Sequence, residues 1–300
     1  MNKRALITGG TGFIGSELCP QMRRRGYELT VLSRQPADKV RALCGKVEVI
    51  NDLERLRSDR GYDAVINLAG EGIADKRWTN ERKQALRDSR IALTNTLTEI
   101  ISSWHNPPEV MVSGSAVGFY GDQQNNLVTE ATPPHDEFSH QLCKDWEAAA
   151  LKVNALGVRV CLSRTGVVAG PGGGFLQRMI PPFKLGLGGR MGDGHQYMPW
   201  VHRDDVVAAL IWMLETPEAS GAYNVVSPNP VTNAEFTRCL AKALKRPAIF
   251  PAPAPVLKIA LGEMSRLLLT GQRAVPARLS ESGFEFLYPT LAEALKHAID

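Results

Sequence analysis

The stretch Arg4-Ala5-Leu6-Ile7-Thr8-Gly9-Gly10-Thr11-Gly12-Phe13-Ile14-Gly15 decides the fold of this chain. A short apolar strand, Ala5 to Ile7, runs into glycines at three-residue spacing, Gly9, Gly12 and Gly15, and a helix-like pattern, Ser16 to Arg25, follows at once. Bare backbone N–H groups at the positive end of a helix hold phosphate, because no side chain stands between amide and ligand. With 27 glycines in 300 residues, three at this spacing arise by chance about 0.2 times. The strand–loop–helix context therefore gives the motif its weight over a glycine turn packed for structural reasons. Thr11, Phe13 and Ile14 join the three glycines as the expected lining of a bound dinucleotide.

Outward from this motif, apolar runs recur at Leu29–Leu32, Val47–Ile50, Ala64–Leu68, Val110–Val112 and Val158–Leu162, each short and bounded by turn residues. Helical patterns lie between them, the longest being Asn80 to Ser103 and Phe138 to Asn154. Strands alternating with helices pair in parallel and cover both sheet faces. The fold class is thus α/β: a Rossmann-type doubly wound sheet with helices on both faces, whose ligands lie beyond the carboxyl ends of the strands. After Gly166 the texture changes to glycine and proline clusters, interrupted by a helix, Asp204 to Leu214, a strand, Tyr223 to Val226, and an apolar helix near Val256 to Leu269. Residues 1–166, with segments near 195–228 returning to the sheet, are expected to form the nucleotide-binding domain. Residues 167–194 and 229–300 are expected to form a smaller C-terminal substrate lobe.

The second strand ends in Val31-Leu32-Ser33-Arg34. A carboxylate here would accept hydrogen bonds from the ribose 2′-hydroxyl of NAD. A hydroxyl followed by a guanidinium suits a 2′-phosphate, so NADP(H) is the expected cofactor. Asp52 and Leu53, after the third strand, are placed to meet the adenine. Leu68, Ala69 and Gly70, after the fourth, would lie along the pyrophosphate and nicotinamide ribose.

Composition excludes several other classes. The net charge of +4 is spread over 35 basic and 31 acidic residues without a run of five like charges, so neither a nucleic-acid face nor a polybasic membrane patch is expected. Five scattered cysteines without a Cys-x-x-Cys pair fit a reducing, cytoplasmic compartment. The chain enters a strand after three residues and holds no apolar run near eighteen, so no signal sequence or membrane span is expected. The six histidines are dispersed, and no metal site is expected.

Thr8-Gly9-Gly10-Thr11-Gly12-Phe13-Ile14-Gly15, Asn67-Leu68-Ala69-Gly70, Ser113-Gly114-Ser115 leading to Tyr120-Gly121, Arg164-Thr165-Gly166-Val167-Val168 and Trp200-Val201-His202-Arg203-Asp204-Asp205 are together similar to the landmarks of the extended short-chain dehydrogenase/reductases. That group contains nucleotide-sugar epimerases and dehydratases. Glu71, Arg77-Trp78, Ser89-Arg90, Trp146-Glu147, Pro181-Pro182-Phe183, Gly186-Leu187-Gly188-Gly189 and Gly271-Gln272-Arg273 narrow the resemblance to the epimerase-like SDR39U1 or YfcH subfamily. The resemblance implies bound NADP(H), a small-molecule substrate and a C-terminal substrate lobe. Extended relatives often form homodimers through the helices corresponding to Asn80–Ser103 and Phe138–Asn154, although both carry many charges here; the oligomeric state stays open.

The family's catalytic pattern is Ser with Tyr-x-x-x-Lys. The tyrosine shuttles a proton while hydride moves, and lysine one turn on lowers its pKa and holds the ribose. Ser115 fits the serine. At the tyrosine position the chain reads His140-Gln141-Leu142-Cys143-Lys144, so the tyrosine is missing. Three sources for the proton step stay open. His140 replaces tyrosine with Lys144 at i+4, Tyr120 supplies a hydroxyl from the loop after the fifth strand, or no residue performs the step. His140 equally reads as a partly exposed helix residue, and Tyr120 as packing.

Glu71 is expected near the nicotinamide ribose. Arg90 is expected at the ribose or at a substrate anion, or else in a buried ion pair with Glu71. Arg164, at the end of the sixth strand beside the expected cofactor, reads equally as a binding and as a structural residue, and Val167 is expected at the cofactor. Phe183, Arg190, His195, Tyr197 and Trp200 are expected pocket lining, while His202 and Asp205 tie the lobe to the sheet. The leading function is an NADP(H)-dependent oxidoreductase or epimerase-like enzyme acting on a small carbonyl, hydroxyl or nucleotide-sugar-like substrate. The contrasting class is a non-catalytic NADPH-binding regulatory or redox-sensing protein; some relatives carry a cell-division label.

Overall fold

The computed structural model describes residues 3–57 and 61–299. Seven strands, β1 (Arg4–Thr8), β2 (Glu28–Leu32), β3 (Glu48–Ile50), β4 (Ala64–Asn67), β5 (Val110–Ala116), β6 (Arg159–Thr165) and β7 (Gly221–Val225), form one sheet. All its neighbours run parallel, in the order β3-β2-β1-β4-β5-β6-β7. The chain therefore winds outward in two directions from β1 and β4, and the reversal opens a crevice at their carboxyl ends.

Alternate residues of β1 feed opposite faces, as the strand period of two requires. Ala5 and Ile7 pack with Leu18 and Met22 of α1 (Gly15–Arg24) and, on the same face, with Val206 and Leu210. Leu6 packs with Leu97, Ile101 and Trp104 on the other face. These β1 residues have no exposed surface, which is what helices on both faces of a parallel sheet produce.

The remaining longer helices are α2 (Ala37–Cys44), α3 (Asn80–Arg87), α4 (Leu93–Ser103), α5 (Phe138–Leu151), α6 (Leu176–Lys184), α7 (Arg203–Glu215) and α8 (Asn233–Leu244). The expected helix over Asn80–Ser103 is instead α3 and α4 joined through a π-helical turn, Asp88–Ala92. Such a turn inserts a residue and rotates the side chains beyond it. The expected apolar helix Val256–Leu269 is broken into Ala254–Leu261, a 3-10 turn Gly262–Ser265 and Arg266–Leu269. Gly262, at φ +60, stops the first piece with a backbone that L side chains rarely adopt.

A separate apolar cluster gathers Leu176 and Phe183 of α6, Phe236 and Leu240 of α8, Trp200, and Leu291 and Leu295 of the last helix, Leu291–Ile299. The segment Trp200–Asp205 joins this cluster to the sheet. His202 Nδ1 accepts the Asp204 amide at 3.2 Å and caps α7, while Asp205 accepts the Leu287 and Tyr288 amides at 2.6 and 3.1 Å. Contrary to the expected dispersal, His202, Asp204 and His297 bring ligand-type atoms within 4.8 Å of one another. Because His202 Nδ1 is an acceptor, its proton lies on Nε2 and is donated to His297 Nδ1 at 3.1 Å. The group is a hydrogen-bonded joint holding the last helix to α7.

Candidate functional site

The β1–α1 loop needs its glycines for close approach. Gly9 sits at φ +73, and a Cβ there would lie 2.7 Å from the Leu68 carbonyl carbon; a Cβ on Gly15 would lie 2.3 Å from Gly9 O. Gly12 N donates to Gly9 O at 3.0 Å, which folds the loop over the start of α1. The amides of Thr11, Phe13 and Ile14 donate to no described residue, so the helix start keeps donors free for an anion. The Phe13 side chain is a different matter: Cβ atoms on Gly173 and Gly174 would fall 2.5 and 2.7 Å from its ring, and the Arg203 guanidinium lies 5.1 Å from its centre. Phe13 therefore contributes its amide and wedges its ring under the later glycine loop.

Leu68, Ala69 and Gly70 are held against this loop by a buried hydroxyl–amide chain. Ala69 N donates to Thr8 Oγ1 at 3.1 Å, and Thr8 Oγ1 to Asn67 Oδ1 at 2.7 Å. Asn67 Nδ2 donates to Thr94 Oγ1 and Ser113 Oγ at 2.8 and 3.2 Å. Asn67 thus staples β1, β4, β5 and α4 beneath the crevice.

At the end of β2, Ser33 Oγ accepts the Gln35 amide at 3.1 Å, and Arg34 is exposed with no described hydrogen-bond partner. The Arg34 charge is nonetheless felt across the crevice, where it helps hold Glu71 below the usual carboxylate range. Asp52 caps the 3-10 turn Leu53–Leu56 by accepting the Glu54 amide at 2.9 Å, and Leu53 turns into the core. The side chains expected at the adenine are therefore committed to the local fold.

Glu71 and Arg90 do not form the ion pair weighed from sequence. Arg82 bonds the Glu71 carboxylate and is the main cause of its lowered pKa. Arg82 also donates to Gly72 O at 2.7 Å. Arg90, carried on the π-turn, donates to the Glu71 carbonyl at 2.8 Å and stacks 5.4 Å from the Trp146 ring. A Cβ on Gly70 would lie 2.9 Å from its guanidinium carbon. Burial lowers the Arg90 pKa.

The β5–α5 region departs most from expectation. His140 is buried; its Nδ1 donates to Phe119 O at 2.6 Å, leaving Nε2 as a bare acceptor. Lys144, expected one turn away in the site, is exposed on the outer face of α5. The residues that face β5 are Ser139, Cys143 and Glu147, at i, i+4 and i+8. Cβ of Ser139 would lie 3.2 Å from a Cβ on Gly118, and Cys143 approaches Ser115. Burial pushes the Cys143 thiol up to about 12, so it stays neutral. The buried stripe Leu142, Cys143, Trp146, Ala149 and Ala150 is the signal that places Lys144 outside.

Glu147 is the functional-site residue that sequence reasoning missed. It is buried, and Ser115 Oγ lies 2.6 Å from Oε1. Arg164 holds both carboxylate oxygens, with Nε and Nη2 each at 2.9 Å. Burial works against the Arg164 charge, but Glu147 more than offsets it and its pKa is raised. Arg164 Nη1 donates to Tyr120 OH at 3.0 Å, and Tyr120 OH donates to Asn224 Oδ1 at 2.6 Å. The Asn224 amide is oriented by donation to Val275 O at 3.1 Å. Tyr120 has no exposed surface, burial raises its pKa, and its proton is committed. Tyr120 is a structural link rather than a source of protons for a ligand. Val167 likewise spends its amide on Pro199 O at 2.7 Å.

Beside Ser139, a cavity of about 340 Å³ is lined by Trp78, Glu137, Phe138, Ser139, Glu263 and Arg266. It lies between the sheet's helices and the broken helix at 254–269. Of the expected lining, Phe183 is buried against Gly188 and Trp200 sits in the apolar cluster; Tyr197 lies under Arg273, and His195 is exposed beside Asp193. A larger hollow of about 740 Å³, lined by Lys3, Tyr27, Glu109 and Arg159, lies at the opposite, amino ends of the strands and holds none of these groups.

Comparison with known proteins identifies the family of the chain. Residues 5–226 match the NAD dependent epimerase/dehydratase family, and residues 252–298 match a domain of unknown function, DUF1731. An epimerase family protein of Mycobacterium tuberculosis is 40% identical over 299 residues, 99% of this chain and 98% of the relative. The human epimerase family protein SDR39U1 is 36% identical over 300 residues, 99% of each chain. Its crystal structure (isoform 2), solved with NADPH, superposes with a TM-score of 0.89 over 98% of both chains at 35% identity. A UDP-glucuronic acid 4-epimerase from Bacillus cereus, solved with UDP-glucuronic acid and NAD, shares the fold with a TM-score of 0.78 at 18% identity, over 98% of this chain and 97% of that one. The chain belongs to the NAD dependent epimerase/dehydratase family, among relatives of the SDR39U1 type.

Proposed function

We propose that this protein is an NADP(H)-dependent oxidoreductase that acts on the hydroxyl of a small alcohol or sugar-like substrate. The amides of Thr11, Phe13 and Ile14 hold the diphosphate at the start of α1, and Arg34 with Ser33 meets the 2′-phosphate. Bound there, the cofactor supplies hydride exchange. The human SDR39U1 structure with NADPH supports this choice. The 1–166 unit, with its returning segments, carries the cofactor, and the remaining lobe closes the substrate cavity.

One observation carries the choice of a hydroxyl. Glu147, paired with Arg164, is an ionised carboxylate and can only accept hydrogen bonds, so Ser115 must be the donor in their 2.6 Å contact. The Ser115 proton is spent, and its oxygen offers lone pairs alone. His140, with Nδ1 committed to Phe119 O, likewise offers only Nε2 as an acceptor. A substrate oxygen docked on acceptors must bring its own proton, as a hydroxyl does and a carbonyl does not. Ser115 Oγ and His140 Nε2 would share the hydroxyl's one proton as acceptors, with His140 the base that takes it, and NADP⁺ held at the start of α1 would accept the hydride.

The test is turnover of NADP⁺ against a panel of alcohols and nucleotide sugars, followed by NADPH absorbance. Reduction of NADP⁺ that drops about 100-fold in kcat/KM in Ser115→Ala and in His140→Gln, with NADPH affinity unchanged, supports the assignment. Turnover indifferent to both substitutions overturns it. The commitment of the Tyr120 and Ser115 protons and the exposure of Lys144 favour a second reading, a protein that binds NADPH to regulate or sense redox state. Tight NADPH binding without turnover on the whole panel supports that reading.

A further inference from the structure

Large apolar side chains such as Leu127 and Leu287 are exposed singly elsewhere, but one tip gathers several. Leu185 and Leu187, in the turn after α6, are 75% and 59% exposed, and Ile249, Phe250, Val256 and Ile259 are 54–79% exposed. The helix Ala254–Leu261 has no buried residue at all. These two segments form one surface. Phe250 N donates to Gly188 O at 3.1 Å, Ala252 N to Arg190 O at 2.8 Å, and Arg246 Nε to Lys184 O at 3.3 Å.

The same two segments carry an unusual charge. Residues 176–192 contain three Lys or Arg and residues 236–262 contain five, with no Asp or Glu in either. That is twice the net charge of the whole chain, +4, so the remainder is acidic on balance. No run of five cations exists in the sequence; folding gathers Lys184, Lys245, Arg246 and Lys258 around the apolar tip from separate segments.

We infer that this tip docks on an anionic lipid surface, inserting Ile249, Phe250, Val256 and Ile259 at the headgroup boundary while the surrounding cations meet lipid phosphates. Apolar side chains with Lys184, Lys245, Arg246 and Lys258 beside them, and the acidic residues Asp193 and Glu263 just outside the two segments, match that surface on both counts. A second copy of the chain fits poorly, since a two-fold contact would face the same cations against themselves. The side chains also stand out from the surface as knobs, which suits insertion between headgroups better than cradling a peptide. Docking there is peripheral: among the described residues no helix is long and apolar enough to cross a membrane. The tip lies on the broken helix beside the cavity, so docking would turn the substrate entrance toward the lipid.

The test is sedimentation of the full chain with vesicles of phosphatidylcholine alone or with about one-third phosphatidylglycerol. The expected result is binding to the phosphatidylglycerol vesicles only, weakened by salt. Ile249→Glu with Ile259→Glu should abolish it, and Lys245→Glu with Arg246→Glu should weaken it about tenfold or more. Thermal unfolding and NADPH titration of the same variants check that the fold is intact. Absence of binding to anionic vesicles overturns the proposal. So does equal binding to both vesicle types, a dimer that the Ile249/Ile259 variant dissociates, or capture of an acidic peptide in place of lipid.

Discussion

The carboxyl ends of β1 and β5 lie on one sheet edge but are finished in opposite ways. After β1 the backbone is left open: glycines allow the loop to press on Leu68, and the amides of Thr11, Phe13 and Ile14 keep no described partner. After β5 almost every polar group is spoken for, in a buried chain running Ser115–Glu147–Arg164–Tyr120–Asn224. An open end binds whatever supplies acceptors, and a closed end selects by what it withholds. The first is built for a diphosphate common to many relatives. The second turns Ser115 into an acceptor by committing its proton to Glu147.

Breaking the closed end should cost most. Glu147→Ala leaves the Arg164 charge buried and unpaired, and denaturant unfolding should show a loss of about 3–5 kcal/mol. A loss under about 1 kcal/mol would mean the ion pair is not the keystone described.

The joint beside α7 gives the next effect, through pH. Burial, with His297 and Arg203 alongside, lowers the His202 pKa from 6.5 to about 4, so between those values the unfolded chain binds the proton first and His202 costs stability as the solution is acidified. Burial raises Asp205 from 3.8 to about 6, which acts with the opposite sign over nearly the same window: the folded chain holds the proton, and this contribution is lost as pH rises. The two largely offset in the native chain. His202→Asn keeps an acceptor for the Asp204 amide and removes only the first contribution. Its stability deficit should shrink by about 2–3 kcal/mol from pH 6.5 to pH 4; a constant deficit would show that His202 is not desolvated.

At the open end the effects are smaller and confined to binding. Gly9→Ala places a Cβ 2.7 Å from the Leu68 backbone at φ +73. NADPH affinity should fall about tenfold or more, equal to about 1.4 kcal/mol. Calorimetric titration of the folded variant checks this, and unchanged affinity would sink the requirement for a bare position.

The sheet was the most legible part of the molecule. Each of the six apolar runs overlaps a strand of the sheet to within a residue at its start or end, and Tyr223–Val226 overlaps the seventh, because parallel strands buried on both faces are written as short uninterrupted apolar runs. The glycine loop was legible for the same local reason. The π-turn at Asp88–Ala92 was not, since no residue there breaks the helical pattern; its cause is the contact of Ser89 and Arg90 with the Glu71 backbone, far off in sequence. A tyrosine–lysine spacing points to Lys144, but α5 turns Cys143, one residue earlier, toward β5 and leaves Lys144 outside. Following the apolar stripe through Cys143 and Trp146 would have turned Glu147 inward. Its partner Arg164 lies on another strand, and no pattern within α5 announces it.

Everything proposed for the chemistry presupposes NADP(H) on the open end, so the most direct test is calorimetric titration of the stripped, folded protein with NADPH and NADH, repeated in Arg34→Ala. NADPH should bind at least about tenfold tighter than NADH, and Arg34→Ala should erase most of that preference while sparing NADH. No heat with either coenzyme, or an equal loss for both in the variant, would contradict the account.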